Sequence, residues 1–68
     1  MEAFGPGKVY ERIRDASEQG AAMVVIDLCL DSITYSDARE KALEAIEDGL
    51  FERGRILILD WHGDEHVV

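Results

Sequence analysis

The stretch Met23-Val-Val-Ile-Asp-Leu-Cys-Leu30 decides the fold. Its first half is apolar and β-branched, and Asp27 is its one charged residue. If extended, Val24, Ile26, Leu28 and Leu30 share one side, and Met23, Val25, Asp27 and Cys29 share the other. Both sides are apolar, which predicts a strand covered on both faces, as in parallel α/β sheets. Asp31-Ser32 ends it. A second run of this kind is Arg55–Trp61, where Ile56 and Ile58 alternate with Leu57, Leu59 and Trp61.

Helical spacing fills the rest. Pro6 suits the first position of a helix, where its missing N–H costs nothing. Val9, Ile13 and Ala16 recur at helical intervals up to a stop at Gly20, which predicts a helix over Pro6–Gln19. Thr34 or Ser36 caps a longer helix over Ser36–Arg53, with Ala38, Ala42, Leu43, Ala45, Ile46, Gly49 and Leu50 inward and Gly54 as the stop. The order is α-β-α-β. Two strands joined by a long helix predict one right-handed, parallel βαβ unit in a single α/β domain, residues 1–68. A two-stranded sheet is barely stable alone. Residues 1–5, residues 65–68 or a second copy of the chain must complete it, and the second copy is favoured. Sixty-eight residues also make a marginal core, which points the same way, to a homodimer.

The formal net charge is −8, and it is unevenly placed. Residues 1–26 carry four acids against three bases; residues 27–68 carry eleven against four. Such a chain repels nucleic-acid phosphates and anionic membranes and attracts basic surfaces or cations. The longest apolar run, Ala21–Ile26, is far too short to span a bilayer. Met1–Lys8 lacks the apolar core of a signal peptide. Cys29 is the one cysteine, so no internal disulfide forms, and its apolar neighbours predict a buried, reduced thiol. The expected setting is soluble and cytoplasmic.

Three groups of residues bear on chemistry. Asp27 and Asp60 lie near the C-terminal ends of their strands, with Asp31 close behind, where parallel sheets bind ligands and Mg²⁺. The plain alternative for Asp27 is bonding to loop or helix N–H groups. Gly5-Pro6-Gly7-Lys8 lacks the spacing of a phosphate-binding loop. In the tail, Asp60, His62, Asp64 and His66 alternate; neighbours could share a transition metal, but the ends of an extended tail are about 20 Å apart. His62, Glu65 and His66 also match a zinc-protease pattern that needs a helix, whereas Gly63-Asp64 reads as a turn. The third group is an acidic ladder on the long helix: Asp37, Glu40, Glu44, Glu47, Asp48 and Glu52, three or four residues apart on one face. Lys41 relieves part of their repulsion.

Two short resemblances follow. Ile26-Asp27-Leu28, a helix, Ile56–Leu59 and His62-Gly63 together resemble a Smr domain, a small α/β nuclease or nucleic-acid-binding module. Such domains carry Asp-Leu-His-Gly after the first strand; here Cys29-Leu30 stands where His-Gly belongs. Arg55–Gly63 resembles the strand of zinc deacetylases that ends in Asp-Trp-Asp-x-His-His-Gly, over nine residues of a much larger fold. The favoured reading is a non-enzymatic protein with no cofactor. It binds and regulates or inhibits a partner with a basic surface through the acidic helix, in the manner of phage-type inhibitors or nucleic-acid mimics. The alternative is a metal-binding or Smr-like phosphodiesterase using Asp27, Asp60 and His62.

Overall fold

The computed structural model describes residues 6–68. Residues 1–5, one source considered for a further strand, lie outside them. The elements run α1 (Pro6–Glu18), β1 (Val24–Asp27), α2 (Leu28–Asp31), α3 (Tyr35–Glu47), β2 (Ile56–Leu59) and β3 (Glu65–Val67). The protein is a small mixed domain of three helices and a three-stranded sheet, of α/β type.

β1 ends at Asp27 rather than Leu30, and Asp27 is the cause. Its carboxylate accepts the N–H of Cys29 at 2.9 Å and of Leu30 at 3.2 Å. That N-cap satisfies two otherwise unpaired donors and starts a helical turn where the strand would continue. The turn drives Leu28 fully into the core and leaves Leu30 75% exposed. Cys29 is exposed as well, against the expectation of a buried thiol. α3 starts behind Thr34, whose hydroxyl accepts the N–H of Asp37 at 3.1 Å. It stops at Glu47, short of the expected Arg53. Gly49, at φ +81°, donates to Ile46 O and Leu50 N donates to Ala45 O, both at 3.0 Å. This is a glycine-terminated helix end, in a left-handed conformation that other residues adopt at a cost. The sequence offers two glycines, and the first one ends the helix.

β1 and β2 are parallel, with Val24 opposite Ile56 and Ile26 opposite Ile58. β3 lies antiparallel on the other side of β2, with Leu57 opposite Val67 and Ile58 opposite His66. The third strand therefore comes from the chain's own tail, residues 65–67, and not from a second copy. A turn at Trp61–Gly63 makes this possible: Gly63 N donates to Asp60 O at 3.1 Å and Asp60 N to Asp64 O at 3.0 Å.

The expectation of strands covered on both faces is also overturned. Ile26, Ile56 and Ile58 are buried under α1 and α3 in one core with Val9, Ile13 and Leu28. The opposite face carries Val25, 43% exposed, and Val67, 66% exposed, with Leu57 half-buried between them. Among the described residues no helix covers it. The reason lies on α3. Ala38, Ala42 and Ala45 are fully buried. A stripe of such small side chains lets α1 lie close beside α3, so both helices occupy one face of the sheet.

These boundaries predict unequal responses to truncation. Leu28→Ala should destabilise the fold by about 2–5 kcal/mol, and Leu30→Ala should stay within about 0.5 kcal/mol. Urea unfolding checks it: comparable losses at the two positions would mean that β1 continues through Leu30.

Candidate functional site

Two surfaces gather polar side chains. The first lies at the C-terminal end of β2, where the chain turns into β3. Alternation puts Ile58 and Asp60 on the helical side of the sheet, and the β2–β3 register puts His66 there too. His66 Nε2 and Asp60 Oδ2 are 2.8 Å apart. Asp60 Oδ1 accepts two backbone N–H groups, from His62 at 2.8 Å and Asp64 at 3.0 Å. The His66 hydrogen bond, with these two N–H groups, holds the Asp60 carboxyl below its ordinary value of 3.8. Tyr35, at the start of α3, meets the His66 ring edge-on at 5.0 Å between centroids. Tyr35, Asp60, Trp61, His62 and His66 line a groove of about 350 Å³.

This arrangement fixes an imidazole. An ionised aspartate bonded to Nε2 selects the tautomer with the proton there and leaves Nδ1 as the acceptor, as in a general base. Among the described residues, the groove is lined by no serine or cysteine. Of the residues named for metal binding, Asp60 and His62 share this groove, and Asp27 does not. Asp27 caps α2. Both Asp60 oxygens have partners, and His62 takes part through its backbone N–H. Asp31 receives Arg12 on Oδ1, while its Oδ2 is buried with no hydrogen-bond partner among the described residues. Among the described residues, no group of three or more His, Cys, Asp or Glu side chains is placed to hold a metal ion.

The second surface is the outer ridge of α3. At 100° per residue, Glu40, Glu44 and Glu47 fall within an arc of about 60°, opposite the buried Ala38, Ala42 and Ala45. All three are exposed. Lys41 reaches Glu44 at 3.4 Å. The other members of the predicted ladder differ. Asp37 is half-buried in the first turn, Asp48 is the C-cap and accepts the hydroxyl proton of Tyr10 on α1, and Glu52 lies in the loop beyond the helix. The Asp48 contact raises the Tyr10 hydroxyl above its ordinary value of 10.0. Of the bulky side chains that could anchor a partner, Phe51 is buried in the core, while Tyr35 and Trp61 are exposed, Trp61 by 59%.

No family model matches the chain, and no curated protein or solved structure matches it significantly. The Smr and deacetylase likenesses therefore rest on their few residues alone. Among the described residues, no helix is long and apolar enough to cross a membrane. The Asp60–His66 pair was not predicted from sequence. Its signal was the His62-Gly63-Asp64 turn, which folds residue 66 back beside residue 60 once β3 pairs with β2. Tyr35 completes the cluster through tertiary packing, for which the sequence carried no sign.

Asp60 has a folded-state pKa below its unfolded one. Its contribution to stability is complete above the ordinary carboxylate range and is lost as pH falls through the lower folded value. Asp60→Asn should thus lower stability at pH 6 and flatten the decline in stability below about pH 4. Urea midpoints across this range test it. Parallel acid limbs for the two proteins would show that the pair contributes nothing.

Proposed function

We propose that this protein is a small cytoplasmic regulator that binds the basic surface of another protein through the outer ridge of α3, blocking that surface, and that it also self-associates. One observation supports the reading above the rest: Glu40, Glu44 and Glu47 project from α3 on the side opposite its buried alanines. One turn of helix separates Glu40 from Glu44, about 6 Å. That interval suits a row of lysines or arginines that would otherwise contact phosphates. Repulsion between these acids destabilises an isolated helix by a few tenths of a kcal/mol per pair. Packing of the alanine face offsets it. Asp37 extends the ridge at its N-terminal end, and Asp48 and Glu52 border it beyond the C-terminal end.

The metal-dependent alternative has weaker support, because Asp27 Oδ1 and both Asp60 oxygens are engaged by backbone N–H groups and by His66. On the acidic ridge Lys41 holds Glu44 at 3.4 Å, while Glu40 and Glu47 stand exposed beside it.

Replacing Glu40, Glu44 and Glu47 together by Gln should leave stability equal or slightly higher, since helix propensity is similar and repulsion falls. The same variant should associate more slowly with a basic partner captured at low salt, and the parent's advantage should shrink as salt rises. Surface plasmon resonance against that partner at two ionic strengths reads both effects. Equal association rates for parent and variant at low salt would dismiss the ridge as the binding surface.

A further inference from the structure

The groove at the end of β2 has a lining that the acidic ridge does not explain. Tyr35, Trp61 and His66 bring three rings to it, and Asp60 brings a carboxylate. Tyr35 and His66 meet edge-on. Tyr35 is still 37% exposed and Trp61 59%, so both rings have surface left for an occupant. Trp61 stands on a fixed turn. Asp60 Oδ1 accepts the N–H groups of His62 and Asp64, Gly63 N donates to Asp60 O, and Asp60 N donates to Asp64 O. These hydrogen bonds close the chain on both sides of the indole.

Charge selects the occupant. Among the described residues, no Lys or Arg lines the groove, and Arg39, one turn along α3 from Tyr35, stands outside it. Asp60 is held by backbone N–H groups and by His66 Nε2. With a neutral imidazole these partners stabilise the carboxylate without cancelling its charge. The net charge of −8 adds a field of the same sign. The faces of aromatic rings are themselves negative and attract cations, Trp most strongly. Asp60 Oδ1 already accepts twice and Oδ2 once, which leaves a primary ammonium short of acceptors for its three N–H groups. A quaternary ammonium has no N–H to satisfy. It needs only the field and the ring faces.

We infer that this groove binds a small quaternary ammonium compound of the trimethylammonium type, with its methyl groups against Tyr35 and Trp61 and its charge beside Asp60. The volume of about 350 Å³ lies at the low end of small-molecule sites, about 300–1,000 Å³, and suits a free small cation. The site is separate from the ridge. At 100° per residue Tyr35 falls on the alanine side of α3, about 120° or more from each of Glu40, Glu44 and Glu47. The inference therefore goes beyond the ridge reading and stands without it.

Trp61 is the single tryptophan of the chain, so its fluorescence reads this groove directly. Choline, titrated to about 20 mM at about 150 mM salt, is the probe; the range covers a millimolar Kd, and the salt screens general attraction to the acidic chain. The control is choline's uncharged isostere, in which a quaternary carbon replaces the nitrogen. Choline should change the Trp61 emission saturably, and the isostere should bind about tenfold more weakly or not at all. Tyr35→Leu should weaken choline binding about fivefold, with circular dichroism confirming that the variant is folded. In Trp61→Leu, a change at an exposed position, choline should leave the amide NMR signals of Tyr35 and His66 unmoved. The Glu40, Glu44 and Glu47 to Gln variant should bind choline as the parent does. No saturable response to choline overturns the inference and leaves the ridge to its own salt-dependent test. Equal binding of the isostere overturns it as well, since the groove would then take any apolar body. So does undiminished choline binding in both ring variants, or loss of binding in the triple Gln variant, which would put the cation on the ridge.

Discussion

The close approach of α1 and α3 across Ala38, Ala42 and Ala45 governs the shape of this protein. With larger side chains on that stripe the helices would be pushed apart, and α1 would need another place to bury Val9 and Ile13. Because they fit together, both helices lie on one side of the sheet, and Ile26, Ile56 and Ile58 form a core with them. Each fully buried aliphatic side chain of that core stabilises the fold by about 1.5–3 kcal/mol. The opposite side of the sheet is left to solvent or to another molecule. The acidic outer ridge proposed as a binding surface and the exposed apolar sheet face both follow from this asymmetry.

Local polar contacts then decide where each element ends. Asp27 turns a strand into a helical turn by capping it. Gly49 closes α3 and sends the chain back toward β2, with Phe51 buried along the way. Asp60 holds the β2–β3 turn by accepting from His62, Asp64 and His66 at once. Tyr10 and Asp48 tie α1 to the end of α3, and Ser17 Oγ donates to Leu50 O at 2.9 Å beside them. These bonds are individually modest, each worth about 1 kcal/mol net. They matter because each sits at a boundary that the apolar pattern alone leaves ambiguous.

That ambiguity explains what could be read from the sequence. Both helices with a clear apolar stripe were legible, as were the apolar centres of β1 and β2, since periodicity reports burial directly. The ends were less so. Leu28 and Leu30 fit the strand pattern; bonding of Asp27 to loop or helix N–H groups was open from sequence, but not that it would cut the strand at Asp27 by capturing Cys29 and Leu30 N–H. Gly49 looked like an inward helix position because Gly54 offered a second stop. Apolar residues on both faces of β1 implied two covering layers. The described residues hold two long helices, and whether they share a face depends on tertiary fit that the alanine stripe signals only in retrospect. Of the candidate sites, the Glu40–Glu44–Glu47 spacing was readable from helical geometry. The Asp60–His66 pair was not, because it depends on a third strand formed by the last few residues.

The chain covers its own sheet on one side only. Methyl NMR with a soluble gadolinium relaxation agent, on protein dilute enough to be monomeric, tests this most directly. Strong broadening of the Val25, Leu57 and Val67 methyls is expected, with near-complete protection of Ile26, Ile56 and Ile58. Equal protection of both sets in the dilute protein would contradict it, because the chain itself would then cover both faces.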